Sequence, residues 1–118
     1  MSVVYACKRR PLWYGRFDFH VILGSSPTQD AGLFLTAEAS GLSPDAPHRV
    51  LLANARQELM SIVGPCYCDS RFKRVSPSIR VGVTGSLFFD GAHSIGAVGP
   101  QYAKPFTVWE IHPILSVD

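Results

Sequence analysis

The sequence predicts an all-β domain with one helix: a five-stranded Greek-key barrel of the OB type, with the helix between strands 3 and 4. Three observations predict it. Several short segments alternate apolar and polar residues, the period of half-buried strands. One segment, between Ser43 and Gly64, instead repeats its apolar residues at helical spacing. Nine prolines and ten glycines punctuate the rest, which suits short strands and turns better than a helical bundle. With 118 residues, no internal repeat and no linker, residues 1–118 read as a single domain.

The elements follow in order. Val3 to Cys7 is a β-prone run that ends in Lys8-Arg9-Arg10, and Pro11 and Gly15 bracket a turn carrying Leu12, Trp13 and Tyr14. In the second strand, Phe17 to Leu23, residues Phe17, Phe19, Val21 and Leu23 share one face and Asp18 and His20 the other. Gly24 to Asp30 is a loop. Leu33 to Ala39 is the third strand, apolar at Leu33, Leu35, Ala37 and Ala39 and polar at Thr36 and Glu38. Ser43-Pro44 and Asp45-Ala46-Pro47 each offer a helix start, with a capping residue and a first-turn proline. Leu52, Ala55, Leu59 and Ile62 or Val63 form the buried stripe, and Gly64-Pro65 stops the helix.

Residues 65–77 read as loop. Ile79 to Phe89 is the fourth strand, with Val81, Val83, Leu87 and Phe89 in phase and a bend or bulge at Gly85. Residues 90–105, rich in glycine, form a long loop. Phe106 to Ile114 is the fifth strand, with Trp109 and Ile111 facing the core and Glu110 and His112 facing away. Pro113 marks an edge, a bulge or the strand's end. In an OB barrel the strand order runs 1-2-3-5-4 and closes on strand 1.

Composition narrows the functional classes. Hydrophobic residues make up 47% and charged residues 17%, enough apolar material for a core. The net charge of +2 and the pI of about 8.6 are modest for a nucleic-acid binder, but the cations cluster: Lys8, Arg9, Arg10 and Arg16 early, and Arg71, Lys73, Arg74 and Arg80 later. Three cysteines argue against a complete disulfide framework. Cys66 and Cys68 are too close for ordinary disulfide geometry, and no zinc-ligand spacing accompanies them. The first residues do not read as a signal peptide, and no apolar run approaches the ~18 residues of a membrane span. The expectation is a soluble, cytoplasmic protein that does not meet a membrane. There is no G-x-S-x-G elbow and no phosphate-binding glycine loop.

Val83-Thr84-Gly85-Ser86-Leu87-Phe88-Phe89-Asp90-Gly91-Ala92-His93, followed by Trp109-Glu110-Ile111-His112-Pro113-Ile114-Leu115, resembles the C-terminal pattern of a family of small bacterial proteins of uncharacterised function. The Asp18-Phe19-His20-Val21 and Leu35-Thr36-Ala37-Glu38 strands are similar to that family's earlier ones, so the likeness spans residues 17–118. The resemblance implies an OB-like barrel and no particular activity. This chain has His93-Ser94-Ile95-Gly96 where the family pattern has histidine, glycine and glutamine.

Two sets of residues could carry function. OB folds bind single strands by stacking bases on aromatics within a basic groove. The first loop, Lys8 to Arg16, interleaves Arg9, Arg10 and Arg16 with Trp13 and Tyr14. The last offers His93, Gln101, Tyr102 and Lys104. On this reading the chain is a non-enzymatic module for single-stranded nucleic acid or an oligosaccharide and needs no cofactor. The second set is the polar sheet face: Asp18 and His20, Thr36 and Glu38, Glu110 and His112. Carboxylate with imidazole suits a divalent transition metal, which could activate water against a phosphodiester with Asp18, His20, Glu110 and His112 as ligands. Cross-strand Asp–His and Glu–His pairs on a solvated face, or a structural role beneath the long loop, explain the same residues. A third alternative is a protein-interaction or homo-oligomerising barrel that uses Trp13, Tyr14 and the edge near Pro113.

Overall fold

The computed structural model describes residues 2–11, 17–26, 33–41, 48–64, 71–91 and 99–118, the first ten and residue 17 by their backbone. The elements are β1 (Ser2–Pro11), β2 (Phe17–Gly24), β3 (Phe34–Ala39), α1 (Arg49–Val63), β4 (Lys73–Val81), β5 (Val83–Phe89) and β6 (Trp109–Val117). The strands form one six-stranded sheet in the order β4-β1-β2-β3-β6-β5. β3 and β6 run parallel, and every other neighbouring pair is antiparallel.

The expected five-stranded closed barrel is therefore corrected to an open, mixed sheet of six strands. The reason lies at Gly82. Residues 79–89, read as one strand, divide there into β4 and β5, which hydrogen-bond into opposite ends of the sheet. Gly82 exchanges both backbone hydrogen bonds with Asp118, at 2.7 and 2.9 Å, and a Cβ at residue 82 would collide with the Asp118 carboxylate. The two ends of the sheet are joined by the chain at this residue, and no ladder pairs β4 with β5.

Other boundaries shift for similar reasons. β1 continues to Pro11, with Lys8, Arg9 and Arg10 opposite His20, Phe19 and Asp18, so these cations belong to a ladder and not to a loop. β4 begins at Lys73, inside the stretch read as loop, and β6 runs from Trp109 to Val117. The irregularity expected at Gly85 is present as a register slip on each side of it, but the extra residues lie on the partner strand, Val83 to Phe89 pairing along the longer run Trp109 to Val117. A Cβ there would strike the Ile111 side chain and the Pro113 carbonyl, so glycine permits the strands to approach.

The helix buries Leu52, Ala55, Leu59 and Val63, one stripe at helical spacing. Its N-cap is His48, in the left-handed region and without a side-chain cap bond. The expected caps near Ser43 and Asp45 lie outside the described residues. Gly64, with φ 71°, closes the C-terminus by donating to Met60 O at 2.9 Å.

The helix stripe packs on one sheet face with Phe19, Val21, Leu23, Ala37, Ala39, Val81, Ile114 and Val117. Arg56 ties this layer down, lying 4.4 Å from the Phe19 ring centroid and donating to Ser40 O at 2.7 Å. On the opposite face Ile22, Phe34 and Ala103 form a second cluster with Phe72 and Tyr102. Trp109, expected in the core, is instead exposed, as are Leu87 and Phe89.

Candidate metal centre

Alternation places Asp18 and His20 of β2 on the face opposite the helix, with Thr36 and Glu38 of β3 and Glu110 and His112 of β6. Strand pairing then brings them together. His20 is opposite Glu38, and the parallel pairs Thr36–Glu110 and Ala37–Ile111 carry the next residues, Glu38 and His112, alongside each other. Three adjacent strands thus deliver their polar side chains to one point.

Glu38 sits at the middle. Its Oε1 lies 3.2 Å from His20 Nδ1, and its Oε2 lies 3.1 Å from His112 Nδ1. Glu110 Oε1 lies 3.4 Å from the same His112 nitrogen. His20, Thr36, Glu38 and Glu110 are all buried, which corrects the expectation of a solvated face. His112 is partly open and its ring rests edge-on against Phe88, centroids 5.3 Å apart. Two triads result, Asp18–His20–Glu38 and Glu38–Glu110–His112. In each the ligand atoms lie within 4.8 Å of one another.

The three contacts of Glu38 and Glu110 with the histidines, 3.1–3.4 Å, match a coordination shell. Ligands at ~2.0–2.2 Å around a tetrahedral cation stand roughly 3.3 Å apart. Direct hydrogen bonding accounts less well for His112. Its Nδ1 is buried close to two carboxylate oxygens, yet neither approach has hydrogen-bond geometry. A buried nitrogen left without a hydrogen-bond partner between two carboxylates is a position that a bound metal ion would satisfy. Glu110 shows the strain of the crowding. Its pKa is pushed up to about 7, first by burial, then by Glu38 and by Asp90, with His112 opposing.

A cleft of about 620 Å³ opens beside His112, between α1 and the β5–β6 pair, walled by Leu51, Leu52 and Pro113 with Ser40 and His48. Of the cluster residues it is lined by His112 alone.

Asp18, His20, Glu110 and His112 are thus brought together, although Asp18 also accepts the Gly41 N–H at 2.6 Å. Glu38 was not among the expected ligands. Its place on the polar side of β3 was the only signal, and which strand lies beside β3 was needed to use it. Of the expected loop ligands, Arg9 and Arg10 lie in β1, while Trp13, Tyr14, Arg16 and His93 fall outside the described residues. Tyr102 is packed in the second cluster with Arg74 over its ring at 4.8 Å; burial raises its pKa and Arg74 partly offsets this. Lys104 is half-buried in the segment before β6.

No family model, curated protein or solved structure matches this chain. Among the described residues, no helix is long and apolar enough to cross a membrane.

Proposed function

We propose that this protein is a metal-dependent hydrolase of phosphodiesters, built on a pair of divalent cations that share Glu38. The carrying observation is that Glu38 turns one oxygen toward His20 and the other toward His112, with a carboxylate completing each side. A carboxylate shared between two ligand sets is the layout of two-metal sites, which hold their cations ~3.5–4 Å apart and clamp the attacking and leaving oxygens of a displacement at phosphorus. The cations would supply an activated water and neutralise phosphoryl charge. Asp18, His20, Glu38, Glu110 and His112 would hold them between three strands.

The sheet edge supports an anionic substrate. Lys73, Arg74 and Arg80 are exposed on β4, beside the strand that carries Lys8 to Arg10. The test is titration of chelator-treated protein with Zn²⁺ or Mn²⁺ by calorimetry, paired with hydrolysis of a chromogenic phosphodiester. Binding of two cations per chain and metal-dependent turnover are expected, both lost in Glu38→Gln. Absence of cation binding, or a Glu38→Gln protein that binds and turns over normally, would falsify the reading.

The same cationic edge favours a second reading, in which single-stranded nucleic acid binds without chemistry. Salt-dependent binding of a short oligonucleotide that persists with chelator and leaves the strand intact distinguishes it.

A further inference from the structure

The two end strands of the sheet are protected very differently. β4 carries Lys73, Arg74 and Arg80 and a proline, Pro77, devices that keep an edge from pairing with another chain. β5 reads Val-Thr-Gly-Ser-Leu-Phe-Phe, with no charge and no proline. Among the described residues it pairs with β6 alone, leaving its outer edge open. Leu87, Phe88 and Phe89 keep 73%, 45% and 55% of their surface exposed, and Trp109, stacked edge-on against Phe89, keeps 47%.

We propose that β5 is the seam of a symmetric homodimer, in which the β5 strands of two copies pair antiparallel and fuse their sheets. The sequence of β5 complements itself. A two-fold axis at Ser86 sets Leu87 opposite Gly85, Phe88 opposite Thr84 and Phe89 opposite Val83. Each phenylalanine then meets a β-branched residue, a favourable cross-strand arrangement, and Leu87 meets a glycine that leaves it room. The exposed apolar area points the same way. At ~150–250 Å² per large side chain, the four exposed residues offer about 400 Å² on each copy. About 800 Å² on the two copies together is the upper bound of what these side chains bury, and the paired backbones add to it toward the ~1,200 Å² of specific interfaces. No charged residue on β5 opposes the approach. The seam is independent of the metal reading, because it uses none of the cluster side chains.

Light scattering coupled to size exclusion tests the seam on the full chain from low-micromolar to near-millimolar concentration. The parent protein is expected at twice the 12.9 kDa of one chain. Leu87→Lys and Phe89→Lys should run at the mass of one chain at concentrations where the parent is paired. Leu33→Lys, which removes an exposed leucine ahead of β3, should leave the pairing intact. Because a lysine could disturb folding, Ser86→Cys provides a second readout. Residues facing each other across an antiparallel pair have Cα atoms ~4.5–5.5 Å apart, within disulfide reach, so mild oxidation should link two copies beyond the background of the native cysteines. A parent chain that stays monomeric throughout overturns the proposal and leaves the edge to another occupant. So does a dimer that survives both lysines, or one that gains no Ser86→Cys cross-link.

Discussion

Replacing Glu110 with glutamine keeps the size of the side chain and removes its charge. In the metal-free protein the Glu110 carboxyl titrates at about 7, against an ordinary value of 4.5. Between those values the folded state holds a proton that the unfolded chain has released. The stabilisation is therefore complete below about pH 4.5 and is lost as the pH rises to about 7. At about 1.36 kcal/mol per unit, the ceiling is roughly 3 kcal/mol. Water reaches the cluster through His112, whose side chain is 31% exposed, and screening there lowers the expected loss to about 1–2 kcal/mol. Glutamine does not titrate. Urea unfolding of the chelated protein, followed by tryptophan fluorescence at about pH 5 and about pH 8, should show the parent losing about 1–2 kcal/mol more than Glu110→Gln across that interval. Equal pH dependence in the two proteins would refute the argument that Glu110 is forced to keep its proton.

His20→Ala removes a ligand from the Asp18 side alone, so calorimetric stoichiometry should fall from two cations to one, whereas Glu38→Ala should abolish both. Cation binding should also raise the thermal midpoint, by the equivalent of about 2.7 kcal/mol at a free concentration a hundred times the Kd, and excess chelator should reverse the rise. Leu59→Ala opens a hole where the helix meets the sheet and should cost about 2–5 kcal/mol in denaturant unfolding. Gly85→Ala drives a methyl group into Ile111 and the Pro113 carbonyl; a cost of about 1–3 kcal/mol is expected, without loss of the helix signal by circular dichroism.

Much of the local structure was legible in the sequence. Alternation assigned the faces of β2 and β3, and helical spacing found Leu52, Ala55 and Leu59. Gly64, which takes a positive φ at the helix end, and Gly85, where a Cβ has no room, stood out against their surroundings. Each of these signals is local, because strand and helix periods and glycine's freedom are properties of a few consecutive residues. The same signals placed Asp18, His20, Glu110 and His112 on one side of their strands.

What periodicity cannot carry is the environment above a face or the neighbour beside a strand. Alternation said that Asp18 and His20 turn away from the helix-side core, and solvent was the simplest surrounding to expect. Strand pairing decided otherwise, crowding three polar strands into a buried cluster. Leu87, Phe89 and Trp109 show the reverse case: they keep a core-like alternation yet stand exposed at the end of the sheet. The strand count failed at Gly82 because the pairing partner changes there, from β1 to β6, strands far apart in sequence. Register is a long-range property, set by which edges meet. By itself the sequence determined which residue types share a side of each element. Tertiary structure alone decided that Glu38 stands between two histidines, since that position exists only once β2, β3 and β6 lie side by side.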